Sequence, residues 1–356
     1  MPNTDRLTVI VSNAVDGDLA TYSLDAGGTL APLGRHPAGD AVMPLARSAD
    51  RSRLYAATRG ERPSIVAFDV DPGGGALTRV ASAAIDASLA YLTLDGSGRW
   101  LLGASYGGHA LSVYDAARVR DGDGVPLQVI GGIPNAHAVI ASADDRFAYV
   151  SSLGSDRIFC FELAHDMRGL RAIERGLRAI ERGEARIERG FGPRHLRLSR
   201  DGRTLVAVGE FEARLAVFAR DPDSGRLGDA HITPRPAMLA PLAPGHPRPP
   251  APAEPAVWAA DLHLSPDERF AYVSERTTSR LICYRRHADG AFEAVQATDT
   301  EAQPRGFAID PSGRFLVACG ERSEHVSVYA IAPESGALSL RARVPGGRGA
   351  NWIAIV

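Results

Sequence analysis

The sequence predicts an all-β fold, a seven-bladed β-propeller with four antiparallel strands per blade. Three observations predict it: one hairpin recurs six times, its copies are spaced almost regularly, and each chain end looks like part of one further unit. The copies read LARSADRSRLYAAT (45–58), LTLDGSGRWLLGAS (92–105), VIASADDRFAYVSS (139–152), LRLSRDGRTLVAVG (196–209), LHLSPDERFAYVSE (262–275) and FAIDPSGRFLVACG (307–320). Their turn arginines, Arg53, Arg99, Arg146, Arg203, Arg269 and Arg314, stand 46, 47, 57, 66 and 45 residues apart. A base period of about 46 lies near the length of a propeller blade.

Each unit resolves into four strands, and residues 194–227 show this plainly. RHLRLS alternates and enters a turn at RDGR; TLVAVG follows as a second strand, RLAVFARD as a third, and DPDSGRL turns into a fourth. Alternating runs of this length between Asp/Gly/Ser/Pro turns are the mark of half-buried strands. At the N-terminus LTVIVSNA matches a second strand, DLATYSLD a third and GTLAPL a fourth. The final GANWIAIV has no partner after it. Joined to the first strands it completes a seventh blade, and the closed ring leaves only short, protected edges.

The repeat covers nearly all of the 356 residues, so residues 1–356 are expected to form one domain, with insertions at 168–190 and 234–257. Net charge is −2, which gives no bulk attraction to nucleic acid or to an anionic membrane. The three cysteines, Cys160, Cys283 and Cys319, stand singly inside apolar runs and read as buried free thiols. MPNTDRLTVIVSNA carries charge where a signal peptide needs an apolar stretch, and nothing approaches a membrane span. The expectation is a soluble cytoplasmic protein, monomeric or weakly dimeric, without a cofactor or metal.

Two segments break the pattern. RGLRAIERGLRAIERGEARIERG (168–190) repeats a seven-residue unit three times. Its Leu170, Ile173, Leu177 and Ile180 have helical spacing, although glycine in every unit weakens such a helix. The plain reading is a tandem duplication that lengthens an outer hairpin. PRPAMLAPLAPGHPRPPAPAEPAVW (234–258) is too rich in proline for regular strands. It joins the last strand of one blade to the first of the next, where it could act as a lid.

Propeller topology turns the sequence into a map. The first strand of each blade lines the channel, turns at the opposite face, and the second strand returns. Residues before the first strand and after the second therefore meet at one mouth. Before first strands stand Asn135, His137, Arg194, His195, Trp258, Asp261, His263 and Arg305; after second strands stand Tyr106, His109, Glu210, Glu275, Arg276 and Glu321. Strand ends such as SSLGSDR and TRGERPS read as plain framework. Each rim residue has a structural alternative, Glu210 for example as an ion-pair partner of Arg194 or Arg276. Their gathering on one rim points to an anionic small ligand, because guanidinium forks suit carboxylate and phosphate oxygens. An imidazole or carboxylate beside them can move a proton. The turn arginines lie at the other face and read as structural.

GPRHLRLSRDGR, VWAADLHLSPDERFAYVSERTTS, TEAQPRGFAIDPSGRFL and GANWIAIV resemble the bacterial 6-phosphogluconolactonase family of seven-bladed propellers, which includes the fungal carboxy-muconate cyclase. The resemblance spans essentially the whole chain and implies lactone chemistry. By matching motifs it implies His137, Arg194, Glu210 and Arg276 as catalytic, with Arg305 as a further candidate. His195, Asp261, His263, Tyr106 and Trp258 complete the expected substrate-binding rim. The expected reaction is hydrolysis of a sugar-acid lactone, with Glu210 or His137 activating water and the arginines holding the anion and the oxyanion. Three alternatives stay open: a non-phosphorylated aldonic or aldaric lactone as substrate, muconate-type cycloisomerisation, and a non-catalytic binding propeller. The chain contains no lysine, which favours forked recognition without naming the ligand.

Overall fold

The computed structural model describes residues 6–71, 74–163, 177–247 and 253–356. They form seven sheets of four antiparallel strands. In blade 1 the C-terminal strand Ala350–Ile355 is innermost, followed outward by Leu7–Asn13, Asp18–Leu24 and Leu30–Pro37. Val9 pairs with Ile355 and Val11 with Ile353, so the two chain ends are joined by a strand ladder. The inner strands of blades 2 to 7 are Leu45–Arg47, Tyr91–Leu94, Ala136–Ala141, Pro193–Leu198, Ala259–Leu264 and Pro304–Ile309. Each packs on the next, and the strand of blade 1 packs on those of blades 7 and 2.

Hydrophobic burial is shared among the seams between blades rather than concentrated in one centre. Tyr91, Leu111, Tyr149, Phe161, Leu205 and Phe218 belong to a cluster running through blades 3, 4 and 5. Val9, Tyr22, Phe315 and Val328 fill the seam where blade 7 meets blade 1. The repeated tyrosine of the second strand ties neighbours together. Tyr149 Oη donates to the Gly225 carbonyl of blade 5 at 2.8 Å, and Tyr272 Oη donates to that of Gly336 in blade 7 at 2.8 Å. Gly225 has φ +68°, and a Cβ there would stand 2.3 Å from the Phe147 ring, so this turn needs glycine on both counts.

The hairpin turns hold themselves. Ser142, Ser199 and Ser265 each donate Oγ to the aspartate two residues later at 2.5 Å. The turn arginines lie over the aromatic rings that follow them, Arg99 over Trp100 at 4.4 Å and Arg146 over Phe147 at 5.1 Å. All three cysteines are free and buried, and burial pushes the Cys160 thiol up to about 12.

Leu177–Arg186, part of the repetitive insertion, is a strand and not a helix, and it pairs with Arg157–Leu163 as the outer strand of blade 4. The open edge of that third strand supplies hydrogen bonds that outweigh the helical spacing. Residues 168–176 lie outside the described residues. In the proline-rich segment the described parts are anchored: Leu239 and Val257 are buried, and Gly245 N donates to the Phe211 carbonyl at 2.7 Å. No helix among the described residues is long and apolar enough to cross a membrane.

Candidate active site

A bulge at the start of the inner strand aims the rim residues. In blade 4, Ala136 pairs with Ser152 and Ala138 with Ser151, so His137 is the extra residue. Arg194 and His195 stand against one residue in blade 5, Ala260 and Asp261 in blade 6, Arg305 and Gly306 in blade 7. Blade 1 has the same shift at Asn351. The inner strands of blades 2 and 3 pair without a shift. A bulge re-aims side chains and frees backbone groups from the ladder. Second-strand serines take up those groups. Ser151 Oγ donates to the Arg194 carbonyl at 2.6 Å and Ser274 Oγ to the Arg305 carbonyl at 3.2 Å, each in the neighbouring blade; Ser12 Oγ makes the equivalent bond to the Met43 carbonyl of unbulged blade 2 at 3.0 Å.

The result is a cavity of about 350 Å³ at the rim, lined by Arg59, Tyr106, His137, Arg194, Glu210, Trp258, Arg276 and Arg305 together with Ser88, Ala90 and Gly107. Glu210 is its organiser. Its Oε2 accepts from Arg194 Nε at 2.8 Å and lies 3.3 Å from Arg276 Nη2, while Oε1 accepts from Trp258 Nε1 at 3.1 Å. Arg276 lies over the Trp258 ring at 3.7 Å and donates Nη2 to the Ala259 carbonyl at 2.9 Å. Arg305 pairs with Glu321 at 3.2 Å, and Gln303 Nε2 donates to the same carboxylate at 2.6 Å.

Electrostatics follow from crowding two buried guanidinium groups, Arg194 and Arg276, and two partly buried ones, Arg59 and Arg305, around one cavity. Burial, with Arg305 nearby, lowers Arg194 to about 10; burial holds Arg276 well below its ordinary value despite Glu210. His137 is buried and its Nδ1 has no hydrogen-bond partner. Burial first, then Arg194, His195, Arg305 and Arg276, hold its imidazole well below 6.5, so it is neutral at physiological pH.

Beneath the cavity the channel is closed by a hydrogen-bonded plug. Arg194 Nη1 donates to His195 Nε2 at 3.0 Å, which leaves Nδ1–H to donate to Asp261 Oδ1 at 2.6 Å. Burial and Arg194 lower His195 to about 3, so the ring is neutral. His263 Nε2 lies 3.1 Å from Asp261 Oδ2 and 3.0 Å from Arg197 Nη2. Burial opposes ionisation of Asp261, yet His263 and His195 keep its carboxyl well below the usual range.

Of the ten residues expected at the site, the structure gathers seven around this cavity: Tyr106, His137, Arg194, Glu210, Trp258, Arg276 and Arg305. His195 sits in the plug. Asp261 and His263 line a separate cavity of about 400 Å³ with Arg47, Tyr91, Arg197 and Trp352. Glu275 is occupied structurally, accepting from the backbone N–H groups of Trp258, Thr277 and Thr278. His109 Nδ1 accepts from Asn135 N at 2.9 Å. Arg59 was not legible as a rim residue. TRGERPS carries one arginine beside another arginine and a glutamate, in a blade that supplies no other rim charge, and only the fold turns it inward.

The fold and site together define a closed seven-bladed propeller with an arginine-lined mouth, a buried carboxylate bridging two of the arginines and a buried imidazole. The family described as "Lactonase, 7-bladed beta-propeller" matches residues 8–355, and the chain belongs to that family. It is 31% identical to the 6-phosphogluconolactonase of Cronobacter sakazakii over 354 residues, 98% of each chain. It is equally 31% identical to that of Klebsiella pneumoniae strain 342 over 353 residues, 98% of this chain and 99% of the relative. Among solved structures, the periplasmic gluconolactonase of Pseudomonas aeruginosa shares the fold at a TM-score of 0.82 and 24% identity, with 99% of both chains covered.

Proposed function

We propose that this chain hydrolyses the lactone of an anionic sugar acid, with 6-phosphogluconolactone as the leading substrate. The observation that carries the reading is one cavity holding four guanidinium groups around a neutral buried imidazole. The names of the curated relatives and the family's lactonase description support it.

In this reading His137 is the general base. Glu210 is the weaker choice, because its oxygens already face two arginines and an indole N–H. His137 takes a proton from water as the water oxygen bonds to the lactone carbonyl carbon. The oxyanion that forms is stabilised by Arg194 and Arg276, which Glu210 holds in place at no reorganisation cost during reaction. When the ring C–O bond breaks, the imidazolium returns the proton to the departing alkoxide. The products are the hydroxy acid and, at neutral pH, one released proton. Substrate charge also strengthens the base: an anion beside the arginines offsets the field that depresses His137. No metal takes part in this scheme, and dialysis against EDTA is expected to leave kcat unchanged. A cytoplasmic location is proposed with it, since a phosphate dianion does not cross a bilayer unaided.

The test is a panel of gluconate, phosphogluconate and aldarate lactones assayed by proton release. The wild type is expected to open at least one lactone, and Arg194→Ala to lose about 100-fold or more in kcat on it. Equal rates for the two proteins on every lactone would remove the roles assigned here.

A further inference from the structure

Charge around the cavity does not balance, and the surplus has a location. Arg194 and Arg276 share Glu210, and Arg305 has Glu321. Among the described residues the Arg59 guanidinium has no carboxylate in ion-pair contact; its side chain donates from Nε to the Leu89 carbonyl at 3.1 Å. Four guanidinium groups against two carboxylates leave two positive charges uncompensated. Arg305 Nε is also buried without a partner. Burying a guanidinium with unused donors is costly and persists where a ligand supplies the missing acceptor.

The surplus also has a direction. Arg59 follows the second strand of blade 2 and bonds into the segment entering blade 3. Glu210 and Trp258 belong to the seam of blades 5 and 6, on the other side of the ring. The mouth is thus split between a paired half beside Glu210 and an unpaired half at Arg59.

We propose that Arg59, with Arg305, forms a separate subsite that holds a dianionic group of the substrate away from the reacting carbonyl, and so sets preference for phosphorylated over neutral lactones. This rests on the lactonase reading and adds to it the residues that choose the substrate. Arg59 is lowered to about 9, first by burial and then by Arg305 and Arg194, the repulsion that an incoming dianion relieves. Two guanidinium forks present several N–H donors, enough for the oxygens of a phosphate group. Arg59 and Arg305 are substrate-binding residues in this scheme and take no part in proton transfer.

The experiment has two arms. In the first, kcat/KM is measured on 6-phosphogluconolactone and on glucono-1,5-lactone for the wild type, Arg59→Gln and Arg276→Gln. Arg59→Gln is expected to lower the phosphorylated-to-neutral ratio by about 30-fold or more, mainly through KM. Arg276→Gln is expected to lower kcat on both lactones and to move the ratio by no more than about threefold, since it acts at the carbonyl. In the second arm inorganic phosphate is titrated calorimetrically into the wild type and Arg59→Gln, which needs no turnover. Phosphate is expected to bind the wild type and to bind Arg59→Gln at least about tenfold more weakly. Wild type that binds phosphate but opens neither lactone would overturn the lactonase reading while supporting the subsite. Lactone hydrolysis with an unchanged ratio in Arg59→Gln, or equal phosphate affinity in both proteins, would overturn the subsite alone.

Discussion

His137 owes its proposed role to its neighbours. A histidine in water is half protonated near pH 6.5. Here burial and surrounding arginines make the charged form unfavourable, so the lone pair is available across the neutral range. His137→Asn keeps the size of the group and removes the base, and kcat is expected to fall about 10²- to 10⁴-fold with little change in KM. The pH profiles carry a sharper signature. The acid limb of kcat/KM, which reports the free enzyme, is expected below pH 6.5. The limb of kcat should lie at higher pH, because a bound anion raises His137. A kcat/KM limb above pH 7 would contradict the assignment.

The same shifts act on stability. His137, His195 and His263 are all lowered in the folded protein, so below about pH 6.5 the unfolded chain binds more protons. Their contribution is complete above pH 6.5 and is lost as pH falls toward the folded values. At pH 5 a ring lowered as far as His195, to about 3, costs about 2 kcal/mol relative to pH 7. The melting temperature is therefore expected to drop between pH 7 and pH 5, and a flat melting profile over that range would count against neutral burial of these rings.

At the scale of the element, the inner-strand bulge is the device that makes a site from a repeat. An unbulged strand alternates strictly, and one extra residue reverses which side chains face the channel. That is why the identities of Arg194, Asp261 and Arg305 were readable while their division between two cavities was not. Asp261 and His263 look upward in the sequence map but line the other cavity. The serine opposite the bulge has a testable share. Ser151 accepts from Ala138 N at 2.9 Å and donates to the Arg194 carbonyl. Ser151→Ala is expected to cost about 1–3 kcal/mol in urea unfolding and to lower kcat, by loosening the backbone that carries Arg194. The outer strand Leu177–Arg186 teaches the converse: the described part of a helically spaced repeat is a strand on an otherwise unpaired edge, in keeping with the reading of a lengthened outer hairpin.

At the scale of the molecule, closure matters more than any one blade. The strand Ala350–Ile355 gives blade 1 its innermost member and places Ile353 and Ile355 in the seam with blade 7. Ending the chain at residue 349 would expose the Leu7–Asn13 edge and open the ring between blades 7 and 2. Loss of a single cooperative melt, with a destabilisation above about 5 kcal/mol, is the expected outcome in calorimetry. A cooperative transition within a few degrees of the full chain would show that the ring does not depend on its clasp.

Blade number, strand order and ring closure were legible in the amino-acid order, because they rest on periodic apolar runs and turn residues that act locally. So was most of the mouth, since topology sends the end of every second strand to the same face. Tertiary structure alone decided which of those residues share one cavity. It brought Arg59 into the rim from an ordinary-looking strand end, set His195 in the channel plug and turned Asp261 toward the far side. The physical reason is that side-chain direction depends on bulges and on packing between blades, and charge balance depends on distances between residues that lie far apart along the chain.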